Sequence, residues 1–148
     1  MPEKTTVQRA AKDKAEGKAA STQAGEFVHE EIEHIREGKH GARSTKQAIA
    51  IGLSKARRAG VKLAPPAEGS TTKDTREQAI RDVRKGQSSK RASTSAKRSR
   101  ATLAVLKREG RSAVSKTALS RQAKKAAAKR SATSRSRSAK KAAATRKK

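Results

Sequence analysis

Between residues 88 and 148 the chain sets 21 Lys and Arg side chains against a single carboxylate, Glu109. A stretch with a net charge of +20 repels itself and cannot collapse unless a partner neutralises it. It is written almost wholly in Ala, Ser, Thr, Lys and Arg, as in the run from Ala123 to Arg130 and in Ser134-Arg135-Ser136-Arg137-Ser138. Residues 1–87 are a different material, with 18 basic and 12 acidic side chains and a net charge of +6. Over the whole chain only 18 of 148 residues are Val, Ile, Leu, Met or Phe. That is roughly 12%, against the roughly 20% below which a highly charged sequence is expected to be at least partly disordered. The composition therefore predicts a small helical module followed by a largely disordered basic tail.

The same scarcity removes several classes. Phe27 is the only aromatic residue, so the stacking platforms that hold bases in many single-strand and RNA-binding modules cannot be built. The absence of Cys excludes a disulfide framework, a Cys-type zinc finger and a thiol nucleophile. The longest strongly apolar stretch runs from Ala48 to Leu53, far short of the roughly 20 residues of a membrane span. No membrane partner is expected, and the anticipated location is the cytoplasm, in association with the nucleoid.

Helix punctuation is clear in the first half. Ser21 and Thr22 can cap a run ending at Gly38, in which Val28, Ile32 and Ile35 recur at i, i+4, i+7 beside Ala24 and Phe27. Opposite them fall Glu26, Glu30, Glu33 and Glu37, which predicts an amphipathic helix with an acidic outer face. Ser44 with Gln47 forms a capping-box pattern before a run that ends at Gly60. Its face of Ala48, Ile49, Gly52, Leu53, Ala56 and Ala59 permits close helix approach, while Lys46, Lys55, Arg57 and Arg58 project elsewhere. Asp74 with Glu77 repeats the capping pattern before a short helix carrying Ala79, Ile80 and Val83. The reading is all-α: a small helical hairpin or three-helix module. Residues 1–20 are expected to be flexible or weakly helical, 21–63 to form the hairpin, 64–73 a linker, 74–86 a short helix and 87–148 the basic tail.

Catalytic chemistry finds little support. His29, His34 and His40 each follow a Glu by three positions, Glu26, Glu31 and Glu37. His29 and His34, however, are five residues apart, about 140° around a helix, and cannot form the i, i+4 pair of a zinc protease. These histidines read as incidental members of a solvated acidic face, so no metal and no cofactor are expected. No hydroxyl is paired with a base and an orienting acid, and the glycines are single helix stops, not a phosphate loop. The chain is not expected to be an enzyme.

Nucleic acid supplies the polyanion the tail needs. Lys and Arg release condensed counterions when they neutralise phosphates, with a salt slope near −0.9 per contact on duplex DNA. The expected contacts are Lys55, Arg57 and Arg58 on the module, and Lys124, Lys125, Lys129, Arg130, Arg135, Arg137, Lys140 and Lys141 in the tail.

The segment from Glu37 to Gly60, with its Lys46-Gln47-Ala48-Ile49-Ala50-Ile51-Gly52-Leu53-Ser54-Lys55-Ala56-Arg57-Arg58-Ala59-Gly60 core, resembles a family of small, basic, functionally uncharacterised bacterial proteins. The resemblance implies a bacterial source and brings no activity. Separately, the tail resembles the basic tails of bacterial linker-histone-like and nucleoid proteins, which implies duplex DNA as the partner. The leading expectation is a nucleoid-associated, histone-like protein that binds DNA through its backbone, largely without regard to sequence. An RNA- or ribosome-associated basic protein uses the same electrostatics. A third reading makes Glu26, Glu30, Glu33 and Glu37 an interaction stripe that holds the tail back, and leaves the module room for self-association.

Overall fold

The computed structural model describes residues 2–88 and 95–146. Residues 89–94, 147 and 148, part of the expected tail, and Met1 lie outside the described residues. The described chain is all-helical, without strands: α1 (Lys4–Ala15), α2 (Ala20–Arg36), α3 (Thr45–Arg58), α4 (Lys73–Gln87), α5 (Ala96–Lys107), a 3-10 turn (Ser112–Val114), α6 (Lys116–Ala128) and α7 (Ala132–Arg146).

The ends of α1, α2 and α3 share one device. After α2, Gly38 adopts φ +78°, its N–H donates to Ile35 O (3.1 Å) and the Lys39 N–H reaches back to His34 O (3.0 Å). This is a Schellman closure, which needs a left-handed residue that glycine provides without a Cβ penalty. Gly17 and Gly60 close α1 and α3 by the same pair of bonds. At the other ends, Ser44 caps α3 by accepting from the Gln47 N–H, while the Gln47 side chain accepts from the Arg43 N–H (2.7 Å). Helix α2 begins at Ala20, ahead of the expected caps Ser21 and Thr22. Its first turn is fixed instead by the Gln23 N–H on Ala19 O (3.1 Å) and by the Gln23 side chain on Lys18 O (2.9 Å). In α4 the cap is Thr72, with Asp74 inside the first turn.

Helices α2 and α3 pack as the antiparallel hairpin that short connections favour, at a separation set by Gly52. A Cβ there would lie 2.6 Å from Val28 Cα, so the absent side chain is what lets the backbones touch. Around this crossing Ala10, Ala24, Phe27 and Ala56 form one small apolar cluster, with Leu53, Val61 and Leu63 packed against it. Helix α1 covers α2 through Thr6, Ala10 and Asp13, a stripe too polar to be recognised by apolar periodicity. Helix α4 lies on α3. There Asp82 is buried, accepting from the Ser54 hydroxyl and from the Gln78 amide (3.2 Å), and Gly86 meets the Arg57 carbonyl.

The basic C-terminal segment corrects the expectation of disorder: α5, α6 and α7 are helices. Ala, Lys and Arg are among the strongest helix formers. Ser115 caps α6 through the Ala118 N–H (3.2 Å), and Ser131 caps α7 through the Ser134 N–H (3.2 Å). No residue of α5, α6 or α7 is buried, so local propensity, with caps on α6 and α7, does more than packing to make these helices.

Nor is the segment a tail detached at residue 87. Between α5 and α6 it returns to the module and docks. The Gly41 N–H donates to Leu106 O (2.9 Å) and the Ala42 N–H to Gly110 O (3.1 Å), and the Thr45 hydroxyl donates to Ala113 O (2.5 Å). Ala113 and Val114 complete a second cluster with Ile35, Ala42 and Ala48, flanked by Ile32. Burying a Val side chain contributes roughly 1.5–3 kcal/mol, so part of the module's thin core comes from the basic half of the sequence.

Candidate nucleic-acid interface

The structure divides the expected phosphate contacts into two groups. Lys124, Lys125, Lys129, Arg130, Arg135, Arg137, Lys140 and Lys141 are all exposed, on or next to α6 and α7. At about 100° per residue, Arg121, Lys124 and Lys125 share one face of α6. On α7, Arg137, Lys140 and Lys141 gather on one side, while Arg135 and Arg146 lie toward the other. Among the described residues no ion pair joins a Lys or Arg of these helices to a carboxylate; the ion pairs all lie between residues 3 and 82. Arg130 alone is engaged, folding over the start of α7 to Ser134 O (3.1 Å) and the Ser138 hydroxyl.

On the module, two of the three expected residues point inward. Lys55 turns inward, its Nζ 2.6 Å from Glu31 Oε2 and 3.3 Å from Glu30 Oε1. Arg57 is buried and donates to Leu63 O (3.3 Å) and Ala64 O (3.2 Å), tying down the chain that leaves α3. Burial opposes its charge, and nearby Asp82 only partly restores it. Both cations are absorbed because burying carboxylates and carbonyls requires them. Arg58 stays exposed, 3.5 Å from Asp82.

The acidic stripe is not the free outer face the periodicity suggested. Glu26 pairs with Arg9 of α1 (2.6 Å), Glu33 with Arg36 (2.9 Å) and Glu37 with Lys39 (2.9 Å). Glu30 is buried and accepts from the Glu3 N–H (3.1 Å). Burial alone would raise its pKa. The Thr6 hydroxyl, the Glu3 N–H and Lys55 together outweigh that and hold it below the usual carboxylate range. No described contact links these four carboxylates to α5, α6 or α7. The basic segment is held by backbone and apolar contacts instead.

A feature the sequence reading dismissed is a cluster of Glu31, His34 and His40. Glu31 and His34 occupy successive turns of α2, and the turn after Gly38 brings His40 back beside them. One candidate ligand atom from each lies within 4.8 Å of the others. The helical-wheel comparison of His29 with His34 could not find it, because the third member sits beyond the helix. His29 stands outside the group.

Residues 4–67 match a family of unknown function (DUF6496), a span that holds α1 to α3 and the chain that leaves α3. No curated protein and no solved structure matches the chain.

Proposed function

We propose that this is a nucleoid-associated, histone-like protein that binds duplex DNA through its phosphate backbone, largely without regard to sequence, and that it is not an enzyme. One observation carries this reading. Among the described residues the module pairs eight of its cations with its own carboxylates, whereas the cations of α5, α6 and α7 are exposed and face no carboxylate. Unpaired Lys and Arg at this density bind a polyanion by counterion release. Helices of 13 and 15 residues are about 20 Å long, a length that spans several phosphates of a duplex. Side chains suited to reading adenine are nearly missing: the sequence has no Asn, and Gln122 is the lone Gln beyond residue 88. Phosphate contacts position a protein on DNA without specifying sequence.

The test is a salt series on random-sequence duplex DNA, using the full chain and a chain ending at Ser115. The shortened chain keeps the docked turn and loses α6 and α7. If about eight charges engage, the full chain shows a log–log slope of roughly −7, and most of that slope disappears on truncation. A slope near zero, or one unchanged by truncation, refutes the mechanism. Competition with structured RNA of equal length decides the polyanion: preferential displacement by RNA replaces DNA with RNA as the partner.

A further inference from the structure

We infer that Glu31, His34 and His40 form a binding site for one divalent transition-metal ion of the zinc class. Two imidazoles and one carboxylate are a donor set suited to zinc, whereas calcium and magnesium demand shells of oxygen. With ligand atoms within 4.8 Å of one another, side-chain adjustments of about an ångström would bring all three to the roughly 2.0–2.2 Å that zinc requires.

The burial of Glu31 is the second observation. Its side chain is wholly inaccessible, and neither oxygen accepts a hydrogen bond of good geometry. Oε2 lies 2.6 Å from the Lys55 ammonium as an ion pair. Oε1 faces His40 Nε2 at 3.1 Å. The other His40 nitrogen, Nδ1, lies 3.0 Å from Gly41 O, and because a carbonyl only accepts, Nδ1 must carry the proton of that bond. In the neutral ring Nε2 then presents a lone pair toward Oε1, so acceptor faces acceptor in a buried place. A cation between them removes the conflict. Lys55 neutralises Oε2 and leaves Oε1 for the ion.

The surroundings match those of metal-ligating histidines, which commonly give their second ring nitrogen to a carbonyl or a carboxylate. Gly41 O plays this part for His40, and Glu3 Oε1 lies 2.9 Å from His34 Nε2. An ion here would tie α2 to the loop whose Gly41 and Ala42 hold the basic segment, so it would stiffen that junction.

The experiment titrates zinc into the metal-stripped full chain, with calorimetry for stoichiometry and ¹⁵N-labelled histidine rings observed by NMR. The expected result is saturation at one equivalent in the micromolar range or below, with the His34 and His40 ring nitrogens shifted and His29 unmoved. His34→Gln and His40→Gln should each weaken binding at least tenfold, and His29→Gln should leave it unchanged. The ring spectra of the unsubstituted chain decide the matter even if a variant loses helicity. No saturable binding, or a perturbation that omits either His34 or His40, overturns the site.

Discussion

Replacing Gly41 with Ala adds one methyl group at the junction between the module and the basic segment. A Cβ at this position would overlap the Glu109 carbonyl and lie 2.7 Å from Gly110 O. Restoring an ordinary contact of about 3.5 Å moves the two backbones apart by more than an ångström. The bonds from the Gly41 N–H to Leu106 O and from the Ala42 N–H to Gly110 O, now 2.9 and 3.1 Å, then pass beyond hydrogen-bonding range. Each contributes about 1 kcal/mol, so protection of the Ala42 amide against hydrogen exchange should fall roughly 30-fold. The Val114 methyl resonances should move toward their unfolded positions as that side chain is released. Amides of α2 around Phe27, whose cluster contains no residue beyond 63, should keep their protection. A variant that retains both the slow Ala42 amide and the native Val114 shifts would refute the reasoning, because the overlap would have been absorbed without opening the junction.

Lys55→Met removes the ammonium from two buried carboxylates, Glu30 and Glu31, and should lower stability by about 3–5 kcal/mol in denaturant melts. Its affinity for DNA should stay within about twofold; lost affinity with unchanged stability would return Lys55 to the binding surface. For acid, the sign follows from Glu30, whose folded pKa lies below its unfolded value of about 4.5. Its contribution is complete above that pH and is lost as pH falls through the folded value. Glu30→Gln should therefore flatten the acid limb of a stability profile measured by circular dichroism between pH 7 and 3, and an unchanged limb would count against the assignment.

The elements legible in the sequence are those that local chemistry writes directly. Gly38 and Gly60 marked two helix ends, and Ser44 with Gln47 marked a start, because Schellman closures and caps depend on a few adjacent residues. Phe27, Ile35, Ala48 and Ala56 were legible as interior by spacing. Helix α1 was faint because it buries Thr6 and Asp13, and the partners that make such burial tolerable come from α2 and from Lys18. The inward turn of Lys55 had the same cause: its carboxylates are 24 and 25 residues away in sequence. Docking of Ala113 and Val114 had no local signature, since two small apolar residues in a basic stretch carry no period. The helicity of α5 to α7 was legible as propensity, but was outweighed in the reading by the net charge.

The junction at residues 106–114 rests on four hydrogen bonds, the fourth from Arg111 to Arg36 O (3.3 Å), and one well-buried Val. Contacts on this scale reach only the low end of the roughly 4–15 kcal/mol that association of two free molecules costs. They hold because the chain itself keeps the partner close, at an effective concentration in the millimolar range for a short connection. The basic segment therefore recognises its own module as a covalent neighbour and would ignore the same surface on another copy at ordinary concentrations.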